Sequence, residues 1–180
     1  MTELALHILD IAQNSIVAKA SLIEIIINED ANADRLTFEI KDNGKGMSEK
    51  EVQHATDPYF TSRTTRKVGM GLPLFKQATE QCVGTFILKS QVGKGTQVKA
   101  SMQLTHIDRQ PLGDMAGTMA LLVSSNPNIE FVYKHITNKG EYVFDTREVK
   151  SELGNVPITN PKVIKFIKEM IQENLNEITH

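Results

Sequence analysis

The 180-residue chain has one cysteine, no tryptophan and no long apolar run, and each absence excludes a class of protein. The lone thiol of Cys82 cannot form an intramolecular disulfide or a cysteine-rich metal site, and the five histidines show no ligand spacing. No segment approaches the roughly 20 apolar residues that span a bilayer, and the N-terminal run contains acids and lacks a basic start. We therefore expect a reduced, cytoplasmic protein with no membrane partner.

The chain also lacks a strong excess of charge of either sign. Its formal net charge is −2 and its isoelectric point is near 6.2, so nothing draws it as a whole toward nucleic acid or an anionic surface. No nucleic-acid partner is expected. With 40% hydrophobic and 23% charged residues, the chain can bury one core, or one core and a small appendage.

The first pattern that is present is a helical one over residues 3–20. One side of this helix is predicted to be apolar and the other to be a polar ridge of His7, Asp10 and Asn14. The pattern gives His7 no specified partner, so we expect a surface histidine. The apolar side consists of Leu4, Ile8, Ile11, Ala12, Ser15 and Ile16.

Strand and helix patterns then alternate as far as residue 105. Ser48, followed three residues later by Glu51, predicts a short capped helix. A basic, hydroxyl-rich stretch over residues 57–68 predicts a loop that becomes ordered on ligand binding. The remaining elements are predicted strands at 22–28, 35–41, 84–92 and 96–104 and a helix at 72–82.

Residues 106–180 are expected to form a small C-terminal module of unknown role. Their pattern predicts a helix, a hairpin, a short helix that starts at Asp145, and a final helix capped by Asn160 before Pro161. One face of the final helix is apolar, and we expect it to pack on the chain's own hairpin. That face carries Val163, Phe166, Ile167, Met170, Ile171, Leu175 and Ile178.

The stretch DNGKGM follows the second strand and suggests a ligand site. Glycines such as Gly44 and Gly46 let the main chain approach a flat ligand closely, and the Asp42 carboxylate is able to accept from an exocyclic amine. An Asn-Gly pair after a strand is equally typical of a simple turn. Residues 40–47 alone leave both interpretations open.

Four motifs in order favour the ligand site. Asp10 and Asn14 on the first helix, DNGKGM, VGMGL at the start of a helix, and GKGT between two strands resemble the N, G1, G2 and G3 boxes of the GHKL, or Bergerat-fold, ATP-binding superfamily. Residues 1–105 are most similar to the ATP-binding domain of sensor histidine kinases, although the first helix resembles that of mismatch-repair ATPases. The resemblance implies an α/β sandwich in which helices cover a mixed, largely antiparallel sheet.

The resemblance also implies an ATP site that uses Mg²⁺. Asn14 would ligate the metal with a hard amide oxygen, and Asp10 is the candidate general base. Asp42 would accept from the adenine amino group. Gly44, Gly46, Met47 and Thr96 would form the pocket around the base.

The phosphates are expected to lie at the start of the helix that VGMGL opens. Unpaired N–H groups at a helix start favour anions. The residues predicted to form this helix start are Gly69, Met70, Gly71 and Leu72. In the preceding loop, Phe60 would be an anchor, and Arg63, Arg66 and Lys67 are candidates for the terminal phosphate.

Three positions depart from the family pattern. Asp10 stands where hydrolytic members carry glutamate, and its shorter side chain predicts weak activation of water. Lys67 occupies the first position of the three-glycine G2 box of histidine kinases, and Val17 replaces their helix lysine. Phosphate contacts are therefore expected to come from the preceding loop.

The resemblance predicts a kinase-type protein. The sequence begins at the ATP-binding unit without a histidine-bearing hairpin, so the γ-phosphoryl acceptor is expected on a separate protein, as in the anti-sigma-factor kinases. The alternative is a switch in which ATP changes partner docking with slow or no hydrolysis. Length and charge disfavour a DNA clamp of the mismatch-repair type. A homodimer is left open.

Overall fold

Six strands pair into one sheet within the part of the chain that the structure describes. The computed structural model describes residues 2–59 and 71–179. The strands are β1 (Leu22–Asp30), β2 (Arg35–Asp42), β3 (Thr85–Gln91), β4 (Gly95–Gln103), β5 (Glu130–Thr137) and β6 (Gly140–Asp145). Their order is β3-β4-β2-β1-β5-β6, and every neighbouring pair is antiparallel except β1 with β5. The predicted α+β fold with a mixed, largely antiparallel sheet is confirmed.

Helices cover one face of this sheet. They are α1 (Leu4–Val17), α2 (Glu49–Ala55), α3 (Gly71–Glu80), α4 (Met115–Ser125), α5 (Thr146–Leu153) and α6 (Pro161–Thr179). On β1, Ile23, Ile25 and Ile27 are buried while their neighbours are partly exposed, because alternate side chains of a strand point to opposite faces. No helix in the described ranges is long and apolar enough to cross a bilayer.

Local sequence determinants set several helix boundaries as predicted. At α2, the Ser48 Oγ accepts from the Glu51 N–H at 3.2 Å, and the Glu51 side chain accepts from the Ser48 N–H at 3.1 Å, forming a capping box. At α6, the Asn160 side chain accepts from the Lys162 N–H at 2.9 Å, with Pro161 as the first helical residue.

The C-terminal segment continues the sheet that the N-terminal segment begins. Strand β5 pairs in parallel with β1, which places Tyr133 opposite Ile25. Helix α4 packs against α1, and its Met115 and Met119 are buried in the same core. The division of function at residue 105 stays a prediction. In packing, residues 106–179 share one core with the rest of the described chain.

Two side chains lie differently from what the sequence predicts. His7 is buried instead of exposed, because α3 covers it and its ring stacks on Phe75 with 5.4 Å between ring centroids. Phe166 is 62% exposed, whereas Ile167 and Ile171 on the same helix are buried. Helix α6 contacts the sheet and α4 along a stripe that excludes Phe166.

Truncating one buried side chain of α4 tests whether both segments share a core. Met119→Ala should lower the free energy of unfolding by about 2–4 kcal/mol, since it leaves a cavity in a fully buried position. Leu121→Ala on the same helix, where the side chain is 50% exposed, should change it by less than about 0.5 kcal/mol. Denaturant unfolding should show one transition. Two separate transitions in Met119→Ala would contradict the shared core.

Candidate functional site

Helix α1 carries two of the predicted site residues and is fixed at both ends. At its start, the Leu4 N–H donates to the Pro111 carbonyl at 2.9 Å, which satisfies a helix N–H that has no partner within the helix. Just after its end, the Ala18 carbonyl accepts from the Lys45 N–H at 2.9 Å. The second bond holds the loop after β2 against the end of α1, and so brings the first two motifs together.

Asp42 ends strand β2 and faces α1. It is 9% exposed, and each of its carboxylate oxygens has a donor. The Ser15 hydroxyl donates to Oδ2 at 2.5 Å, and the Gly44 N–H donates to Oδ1 at 2.8 Å. Each carboxylate oxygen has two lone pairs, so a further N–H from a ligand has an acceptor whose orientation is already set.

The sheet register places Thr96 and Ser90 beside Asp42. Thr96 lies opposite Asp42 across the β2–β4 pair, and Ser90 lies opposite Thr96 across the β4–β3 pair. The Ser90 and Thr96 hydroxyls are 2.8 Å apart, and the Ser90 Oγ accepts from the Met47 N–H at 2.7 Å. The predicted base-pocket residues Asp42, Met47 and Thr96 are therefore brought together.

The glycines of DNGKGM are required by close backbone packing. A β-carbon at Gly44 would lie 2.8 Å from the Ala18 carbonyl oxygen. Gly46 has a φ of +72°, and a β-carbon there would overlap the Gln91 carbonyl. The turn interpretation and the site interpretation are thus compatible, because these contacts press the loop onto α1 and the β3–β4 turn. A contact of either glycine with the base stays a prediction.

Asp10 lies where α3 meets α1. A β-carbon on Gly71 would lie 2.9 Å from the Asp10 Cβ, so glycine permits this close approach. Burial raises the pKa of the Asp10 carboxyl above its ordinary value, and the nearby His7 opposes part of that change. The start of α3 and a carboxyl of raised proton affinity are therefore adjacent.

Asn14 lies one turn along α1 from Asp10 and has an unsatisfied amide. Its Nδ2 is buried, and within residues 2–59 and 71–179 it has no hydrogen-bond partner. Leaving a buried polar atom unpaired costs stability, which suggests a ligand for this side chain. The two ends of an amide differ little in shape, so the same position also suits the amide oxygen.

The residues around Asn14 fit an Mg²⁺ ion that takes few of its ligands from the protein. The described residues contain no group of three histidine, cysteine or acidic side chains that could hold a metal. Mg²⁺ is commonly held by one or two protein oxygens together with phosphate oxygens and water. Asn14 is the side chain that would supply the protein oxygen.

Part of the predicted phosphate site lies outside the described residues. This holds for Phe60, Arg63, Arg66, Lys67, Gly69 and Met70. Gly71 and Leu72 are described at the start of α3, and the Leu72 side chain is buried in the core. The sequence interpretation missed Ser15 as a partner of Asp42, although a hydroxyl on the buried side of α1, directly after Asn14, was the available indication.

Fold and site together define a nucleotide-binding domain of the GHKL type, as the sequence resemblance predicted. The family model for histidine kinase-, DNA gyrase B-, and HSP90-like ATPases matches residues 2–106, which is more than half of the chain. The chain belongs to this family.

Curated relatives include bacterial sensor proteins. Sensor histidine kinase YxdK of Bacillus subtilis is 33% identical over 79 residues, which cover 42% of this chain and 24% of that protein. Sensor protein SrrB of Staphylococcus aureus is 37% identical over 78 residues, which cover 41% of this chain and 13% of that protein. The similarity thus spans a quarter or less of each of these two relatives.

Solved structures show the same fold at low sequence identity. The N-terminal domain of a DNA repair protein has a TM-score of 0.53 at 18% identity, covering 88% of this chain and 59% of that one. The Aquifex aeolicus MutL ATPase domain complexed with ADP has a TM-score of 0.50 at 16% identity, covering 83% and 68%. Both likenesses cover a larger share of this chain than the family model does.

The burial of Asp10 predicts a pH-dependent effect on stability. Asp10→Asn should raise the midpoint temperature of unfolding at about pH 7, because burial disfavours the charged carboxylate in the native state. Since the native pKa is raised, protonation stabilises the wild-type protein. The difference in midpoint temperature between Asp10→Asn and the wild type should therefore disappear as the pH falls below 3.8, the ordinary pKa of an aspartate carboxyl.

Thermal unfolding of both proteins at about pH 7 and about pH 3 checks this expectation. Asp108→Asn is the matched control, because Asp108 is exposed. An Asp10→Asn protein that unfolds at the wild-type temperature or below it at neutral pH would contradict a desolvated Asp10.

Proposed function

We propose that this chain binds ATP with Mg²⁺ and transfers the γ-phosphoryl group to a side chain of a separate protein. The observation that carries the proposal is the placement of a fixed Asp42 carboxylate beside a helix on which the buried Nδ2 of Asn14 lacks a partner in the described chain. The carboxylate suits an adenine amino group, and the Asn14 amide suits a metal that holds phosphates. Membership of the ATPase family and similarity to sensor kinases support this assignment.

Asp42 recognises the base through geometry that exists before the ligand arrives. Ser15 and the Gly44 N–H fix the two carboxylate oxygens, so little rotational freedom is lost when a third donor binds. A purine with an oxygen in place of the amino group would present an acceptor to this carboxylate. The site therefore favours adenine over guanine or hypoxanthine.

Asn14 and Asp10 act at the phosphate end of the same helix. A bound Mg²⁺ would neutralise charge that develops on the transferring phosphoryl group. Asn14 would fix the ion's position relative to α1. Asp10, close to Gly71, would orient an attacking hydroxyl or water and accept its proton.

The short reach of Asp10 favours transfer over hydrolysis. An aspartate has one methylene fewer than a glutamate, so the carboxyl of Asp10 reaches less far from α1. A poorly activated water leaves ATP intact longer, which benefits either a protein acceptor or a switch that depends on bound ATP. The same property supports the alternative function, in which ATP controls docking without phosphoryl transfer.

Removing the Ser15 hydroxyl tests whether Asp42 is held for base recognition. Ser15→Ala should weaken ATP binding about threefold to tenfold, because the carboxylate loses one of its two fixed donors. Titration calorimetry measures the change. Ser125→Ala, an exposed serine at the end of α4, is the control and should bind ATP as the wild type does. Unchanged affinity in a folded Ser15→Ala would show that this bond has no part in binding.

Phosphoryl transfer is tested with γ-labelled ATP, Mg²⁺ and an extract of the native cell. The wild-type chain should place label on a distinct extract protein faster than it releases phosphate. Asn14→Ala should abolish the label, and Gln13→Ala, an exposed neighbour on α1, should retain it. ATP binding with neither label nor phosphate release would support the switch instead. Phosphate release that outpaces labelling would contradict a transferase, and absence of ATP binding would contradict both functions.

A further inference from the structure

A groove lies in the C-terminal segment, beyond the residues that the family model matches. It has a volume of about 860 Å³ and runs between α5, α6 and strand β6. Its walls are mainly apolar, and two of its side chains are unusually accessible for their type. Phe166 is 62% exposed and Val143 is 47% exposed. The other apolar lining residues are Tyr142, Phe144, Val149, Leu153, Val163 and Met170.

The groove follows the edge of a strand. Residues 142–145 are consecutive in β6, and all four line the groove although alternate side chains of a strand point to opposite faces. A groove over one face of the sheet would contact every second residue. Since all four contribute, the groove runs alongside the strand.

That edge is open to hydrogen bonding. β6 is the last strand of the sheet and pairs only with β5 among the strands of the described chain. Outward N–H and C=O groups of such a strand can pair with another extended chain. An extended occupant would direct every second side chain to the helix side, where Phe166, Val163 and Leu153 offer apolar contact.

The charged side chains of α5 that line the groove indicate which charge a bound segment would carry. Both basic residues of α5 are already engaged, because Arg147 pairs with Asp145 and Lys150 pairs with Glu130. Glu148 and Glu152 lie four residues apart on α5 and have no ion pair in the described ranges, and they outnumber Lys162, the unpaired cation of the same lining. Like charges at this spacing on a helix repel each other, and a cation from a partner would relieve that repulsion.

We propose that an extended segment of a separate protein, with alternating apolar residues and a lysine or arginine at its end, adds to the sheet along β6 and fills this groove. Backbone pairing with β6 gives affinity, Phe166 and its neighbours accept the apolar side chains, and Glu148 with Glu152 binds the cation. The lining of this groove contains none of the residues of the candidate nucleotide site, so peptide binding can be tested separately from ATP binding.

The test uses three synthetic peptides and the full chain without nucleotide. KVTVTVTK alternates apolar and polar residues and has a cation at each end, so either strand direction brings one to α5. EVTVTVTE reverses the charges, and KVPVPVTK removes backbone donors by inserting proline. Heteronuclear NMR titration follows the amides of residues 140–145, and hydrogen exchange reports whether those amides become protected.

KVTVTVTK should shift and protect the β6 amides saturably, and the two other peptides should bind at least about fivefold more weakly. Phe166→Ala should weaken binding of KVTVTVTK by a similar factor, and Glu148→Gln with Glu152→Gln should remove its preference over EVTVTVTE. Leu121→Ala, an exposed apolar residue on α4, is the control and should change nothing.

Four results would overturn the proposal. Equal binding of the three peptides, or no saturable shift with any of them, would exclude strand addition. Shifts of groove side chains without protection of β6 amides would assign the groove to a ligand that is not an extended chain. A dimer that buries β6 and that KVTVTVTK does not dissociate would assign the edge to a second copy of this chain.

Discussion

The hydrogen bond between Ser15 and Asp42 is the contact on which the site depends. It joins α1 to the end of β2, and thereby sets the position of Asn14, the preceding residue of the helix, relative to the Asp42 carboxylate. Burying both groups is favourable only while they remain paired, since an unpaired carboxylate in this position would be costly. The close packing of Gly44 on Ala18 maintains the same junction from the loop side.

The parallel pair of β1 with β5 extends this constraint to the C-terminal segment. β1 lies between β2, which carries Asp42, and β5, which leads to the groove along β6. The segment before α4 also contacts the site helix directly, through the bond from the Leu4 N–H to the Pro111 carbonyl. The candidate nucleotide site and the open strand edge thus lie toward opposite ends of one sheet, and removing either segment would expose the core that both segments share.

The sequence predicts features that depend on neighbours along the chain. The capping box at Ser48, the start of α6 at Pro161 and the loop after β2 all follow from local rules and are present. Features that depend on distant segments were missed. His7 is buried because α3 covers it, a fact outside the helical pattern of α1.

In the candidate site too, the sequence predicts residues that belong to local motifs and misses contacts between distant segments. Asp42 and Asn14 were predicted because they stand within ordered motifs, whereas Ser15, which bonds Asp42, was assigned only to an apolar helix side. The pairing of β5 with β1 joins strands about a hundred residues apart, and a parallel pair leaves no turn residues by which to recognise it. The hairpin of β5 and β6 was predicted because its turn is local.

Comparison of ATP with inosine triphosphate tests the central claim most directly. The two nucleotides differ at the base position that Asp42 is proposed to contact, where inosine presents an oxygen instead of an amino group, and at the adjacent ring nitrogen N1, which carries a hydrogen in inosine. The account predicts that the wild-type chain binds ATP at least about tenfold more tightly than inosine triphosphate in calorimetry with Mg²⁺, and that a folded Asp42→Ala loses this preference. Equal affinity of the wild-type chain for the two nucleotides would contradict it.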